Sequence, residues 1–221
     1  MSRLVYPGFI ALILLMAAPF ILSSVAKGFD GLMGAPNFPT RLFHADAPVA
    51  NISIFSHMIA GAVITGLALL QTMPQVRARW PQVHRMSGRL TLVAAGITGV
   101  GGLTYIAAKG TIGGPWMSFG FTLYGVCVLI AAVMTWRTAR ARAFARHREW
   151  GLRMVWLAIG SWLYRVFYGL WVVTMGEVAM APDFSGAFDR AMVLGFFVPQ
   201  LILLELYLRR GRAVEPVPSE G

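Results

Sequence analysis

Charge is what this sequence has least of. Only 13% of its 221 residues are Asp, Glu, Lys or Arg, while 57% are apolar. A soluble fold of that composition would have too little polar surface to present to water. A single cysteine, Cys127, excludes an intrachain disulfide, so oxidation says nothing about compartment. Within its apolar run it reads as a small packing residue. No set of Cys, His, Asp and Glu has the spacing of a structural zinc site. His44 and Asp46 in "FHADAP" offer two metal ligands in a loop, too few to define a centre. There is no Gly-rich phosphate loop, no Ser or Cys nucleophile beside a base and no nucleic-acid recognition motif. Neither a catalytic residue nor a metal site is therefore assigned.

What the chain does have is long apolar runs, each near the 20 residues needed to cross a hydrocarbon core of roughly 30 Å. Six are predicted as transmembrane helices: Val5 to Val25, Ile52 to Thr72, Leu90 to Ala108, Trp116 to Trp136, Trp150 to Thr174 and Ala187 to Leu208. The first has Arg3 ahead of it and small residues near Ser23, as a signal peptide would. It is long for such a segment and reads as a retained helix. Pro19 and Pro199 each remove a backbone donor inside a span, which predicts kinks. The glycines of "GITGVGGL" predict close helix packing.

Basic residues divide unequally between the two sides. Arg3, Arg77, Arg79, Arg85, Arg89, Arg137, Arg140, Arg142, Arg146, Arg148, Arg153, Arg209, Arg210 and Arg212 fall on one side; Lys27, Arg41, Lys109 and Arg190 fall on the other. Positively charged short loops stay in the cytoplasm, so both termini are expected there, in a bacterial inner membrane. The net charge of +10 then reflects insertion and anionic headgroups and not nucleic acid. Residues 1–210 form the transmembrane domain; the polar 211–221 is expected to be a disordered tail. The link from Lys27 to Ala50 is the long one, of the kind that often serves function.

Two polar clusters emerge. Arg165 lies in the far half of the fifth span and His57 in the outer part of the second, so they share a level. An ionisable group at that depth is a site candidate by default, and Tyr164 and Tyr168 are expected to hold the guanidinium. This ligand-binding set suits an anion or carbonyl-bearing molecule. On the other side, "HRMSGRLTLVAAG" from His84 and "HREWGLRMVWLAIG" from His147 each place His-Arg ahead of an apolar span. That similarity suggests a parallel hairpin repeat of helices two and three with helices four and five. His84, Arg85, His147 and Arg148 could hold a b-type haem through paired imidazoles, with the arginines on its propionates, or could anchor anionic lipid. Both histidines precede their apolar runs, which places them in the headgroup zone. Arg153 and Glu205 lie at similar depth and are expected to form a structural ion pair.

From about His57 to Arg209 the chain resembles an uncharacterised family of bacterial integral membrane proteins, domain-of-unknown-function family 2306. The resemblance rests on His57, Gln71, "VHRMSGR", "HREWGLR", Arg165 and Glu205 at their combined spacing. It implies a membrane architecture and no particular chemistry.

Three functions are compatible with these residues. The preferred one is a non-catalytic membrane protein that binds lipid or a partner, for example as an accessory subunit of a membrane complex. The others are a haem- or quinone-linked redox protein and a small-molecule transporter or receptor.

Overall fold

A computed structural model describes residues 5–34 and 36–214. Its elements are α1 (Val5–Leu32), α2 (Pro48–Gln71), α3 (Pro74–Arg79), α4 (Pro81–Lys109), α5 (Gly114–Arg140), α6 (Phe144–Met175), α7 (Ala187–Gly195) and α8 (Val198–Val214). No strand occurs among the described residues. Local sequence sets the boundaries: α2, α3, α4 and α5 each begin with proline in the first two positions, where its missing N–H costs nothing. α6 ends at Gly176, whose φ of +66° a side chain would strain.

Six stretches are long and apolar enough to cross a membrane: α1, α2, α4, α5, α6 and the α7–α8 segment Ala187–Arg210. The chain is an all-helical integral membrane protein, and its lipid-facing surface carries Leu15, Leu22, Val93, Val133 and Leu203. The most extensive packing joins α2 to α4, α1 to α2 and α5 to α6, and α4 lies against α5. Ala60, Ile64, Ala68, Ala95, Val128, Ala131, Leu157 and Ala158 fill the centre of this bundle. Small residues let the backbones approach, as packing in lipid requires. α1 covers the outside through Ile10, Ala17, Leu69, Ile159 and Trp162, and α8 leans on α6.

The helices overrun the apolar runs. α1 continues to Leu32, and α4 and α6 start well before Leu90 and Trp150. Polar residues prolong a helix into the interface at little cost, so hydropathy marks the immersed length and not the element. His84 and His147 consequently do not precede their helices: each is the fourth residue of its own. The link between α2 and α4 is the short helix α3. The last span is divided at Phe196 and Phe197 instead of merely kinked, because both rings are buried in the bundle; Pro199, which cannot donate back to Gly195, tolerates the break. Residues 211–214 extend α8, and 215–221, like Arg3, lie outside the described residues.

Candidate functional site

Both ends of the bundle carry polar clusters: a basic end, where α3 and the α5–α6 turn lie, and a far end. His57 and Arg165 stand near the far end, nine residues after Pro48 and ten before Met175 respectively. At about 1.5 Å per residue both are roughly 14–15 Å from the far ends of their helices. Arg165 lies within electrostatic range of His57 on α2 and Tyr124 on α5.

Each of these groups is fixed by a backbone carbonyl. His57 Nδ1 lies 2.6 Å from the Thr98 oxygen. A carbonyl only accepts, so Nδ1 carries the proton and the neutral ring keeps an unbonded lone pair on Nε2. The glycines of α4 make this approach feasible: a Cβ at Gly101 would stand 2.5 Å from the Ser53 oxygen, and one at Gly102 2.9 Å from His57 Nδ1. Tyr124 donates to the Leu157 carbonyl. Beside this group, Thr98 is buried and its Oγ1 has no partner.

Arg165 Nη1 donates to the Ser161 carbonyl at 2.7 Å, and its guanidinium carbon lies 4.6 Å from the centre of the Phe20 ring of α1. Ser161 is one turn nearer the basic end, so the side chain bends toward the middle of the span, as helical Cα–Cβ bonds incline toward the N-terminus. It does not reach outward to the far surface. No ion pair joins it to a carboxylate among the described residues.

Tyr164 and Tyr168 do not hold Arg165. Tyr164 donates to Tyr168 at 3.1 Å, and Tyr168 donates to Asp189 Oδ1 at 2.8 Å. The other carboxylate oxygen accepts from the Ala181 and Gly186 amides. Asp189 is 1% exposed, which makes it the hub that fastens α7 and the 176–186 loop to α6. Phe121, Tyr124, Phe188, Phe196 and Phe197 wrap this chain in ring contacts. The Asp189 hub was not anticipated from sequence. Its available signal was Gly186 followed three residues later by Asp, the spacing of a reciprocal helix cap. In the same loop, hydrogen bonds from Ser185 hold Asp183 below the usual carboxylate range.

At the basic end, His147 Nδ1 lies 3.0 Å from the Thr135 carbonyl. Gln71, with its amide nitrogen turned toward the imidazole, donates to His84 Nδ1 at 3.0 Å while its oxygen accepts from Ser87 Oγ at 2.7 Å. The two imidazoles lie within electrostatic range of each other and of Arg77 and Arg85. Arg85 and Arg148 are exposed. Arg153 is bonded to Glu205 through Nε (2.5 Å) and Nη2 (2.9 Å), and also meets Glu149 and the Trp150 ring. The loop residues His44 and Asp46 separate, one to Tyr105 and the other to Lys109. No group of three or more metal-binding side chains occurs among the described residues.

No curated protein and no solved structure shows a match to this chain. Residues 54–208, spanning both clusters and the Arg153–Glu205 pair, match the family described as DUF2306, predicted membrane protein. The chain belongs to that family.

Proposed function

We propose that this protein binds, without transforming it, an amphiphile with accepting oxygens drawn from the bilayer, such as a lipid ester or a quinone carbonyl. Arg165 is its recognition group. The carrying observation is the guanidinium bent toward mid-span, bonded to one carbonyl, set over the Phe20 ring, exposed at the side of the bundle and lacking a carboxylate among the described residues. A cation at that depth is costly unless something polar satisfies it, and four of its five N–H donors have no protein hydrogen bond among the described residues. His57 Nε2 on α2, an acceptor, adds a contact only to a hydroxyl of the same molecule. We place the protein in a bacterial inner membrane with its basic end in the cytoplasm, on the strength of its basic asymmetry. The bound molecule then enters from the opposite leaflet.

The test is lipid extraction and mass spectrometry of protein purified in mild detergent, which separates phospholipid from quinone by mass. Wild type should retain one species at near-stoichiometric amount. Arg165→Leu should lose it roughly 10- to 100-fold, since a charge-assisted hydrogen bond contributes about 1.5–3 kcal/mol. His57→Phe should lose less. Full retention by a monodisperse Arg165→Leu protein would sink the reading.

A further inference from the structure

We propose that the first turns of α4 and α6, whose His84 and His147 lie within electrostatic range of each other, form a second binding site, for a phosphate-bearing anion presented by an acidic phospholipid headgroup. This inference stands apart from the Arg165 site, which lies at the other end of the bundle.

Its frame is set by two imidazoles at equivalent positions, the fourth residues of α4 and α6. Each ring is held through Nδ1, His147 by the Thr135 carbonyl and His84 by Gln71. Because His84 Nδ1 accepts, its Nε2 carries a hydrogen and donates even in the neutral ring. His147 donates through Nδ1 to the Thr135 carbonyl.

Three further features point to an anion. Neither helix has an acidic residue in its first turn or a side-chain cap, so their leading amides are left to other acceptors. Thr135, 7% exposed, has a hydroxyl with no partner in the residue whose carbonyl fixes His147. The positive charge is also not cancelled from within. Among the described residues Glu149 and Glu205 are the carboxylates of this end, and both pair with Arg153, leaving Arg77, Arg85 and Arg148 without an ion pair. Trp80, the N-cap of α4, and Trp150, one turn into α6, mark this level as the interface, where lipid phosphates lie. A guanidinium pair flanking the His84 Nε2 donor is suited to phosphate oxygens.

The experiment uses the full chain in nanodiscs of phosphatidylcholine with or without 5% phosphatidylglycerol, read by native mass spectrometry and thermal unfolding. Wild type should retain one phosphatidylglycerol and unfold at higher temperature when it is present. Inorganic phosphate at 10 mM in pure phosphatidylcholine discs should give less than half that shift; an equal shift would overturn the lipid as source. Arg85→Gln with Arg148→Gln, both exposed and safe for folding, should reduce retention about tenfold, and His84→Gln with His147→Gln should do the same. Arg209→Gln with Arg210→Gln removes the same charge from α8 and should leave retention intact. Equal loss in that control would overturn the site in favour of diffuse rim charge, as would retention by both site pairs. A stoichiometric Soret band would overturn it by assigning the imidazoles to haem iron.

Discussion

Arg165 was legible in the sequence as a charge inside an apolar run, but its partners were not. Spacing along a helix face points to neighbours such as Tyr164 and Tyr168. In three dimensions those hydroxyls are drawn to Asp189, which is buried and would otherwise be an unpaired carboxylate. The consequence is measurable. Asp189→Ala strips acceptors from the Ala181 and Gly186 amides and from Tyr168, and should cost about 2–4 kcal/mol, allowing 1–3 for each donor left dry and some of these donors reaching water. Tyr168→Phe should cost about 1 kcal/mol, and the double variant should cost less than the two together, because both remove the same bond. Additive losses in denaturation of the detergent-solubilised protein would show that the hydroxyl and carboxylate are not coupled. His57 was likewise visible as a polar residue in a span. That it is fixed by Thr98 depends on glycines 44 and 45 residues further along, a contact no local pattern reveals.

Elements were more readily read than contacts, since length and hydropathy decide whether a helix spans, and all six spans are present. Their ends were less legible, because helix continues past the apolar stretch, for α4 and α6 until a glycine stops it. The divided last span shows the limit most clearly. Pro199 announces an irregularity, yet whether the helix bends or breaks depends on where Phe196 and Phe197 go. They are 0% and 3% exposed and pack edge-on or tilted against Tyr124. Pro199→Ala should therefore change stability by less than about 1 kcal/mol, the break being held by the rings. Phe196→Ala should cost about 3 kcal/mol or more by leaving a cavity against four aromatic neighbours. The reverse ranking would mean that the proline imposes the break. Close approach of α2 and α4 gives a second test at this scale. Gly101→Ala forces a methyl against the Ser53 carbonyl, and should destabilise the protein by about 1–3 kcal/mol while loosening the His57–Thr98 bond.

For the molecule as a whole, the asymmetry of fourteen basic residues against four decides how every site is oriented. If the basic end lies in the cytoplasm, Arg165 sits in the outer leaflet and its ligand approaches from outside, whereas the His84–His147 site meets the inner leaflet, where anionic lipid concentrates in many membranes. The Arg153–Glu205 bond ties α8 to α6 at that basic end and so fixes which side of the membrane the end of the last span occupies relative to α6. Cysteine labelling in intact cells tests the orientation with little perturbation, because the chain has one native cysteine, half-buried in α5 and replaceable by alanine. A cysteine at position 185, in the loop between α6 and α7, should react with a membrane-impermeant maleimide in intact cells; one at position 142, in the turn between α5 and α6, should react only after permeabilisation. The opposite pattern would invert the protein. It would place the guanidinium of Arg165 in the cytoplasmic leaflet and remove the charge argument for both proposed sites, since fourteen cations would then have crossed a membrane against the potential that normally retains them.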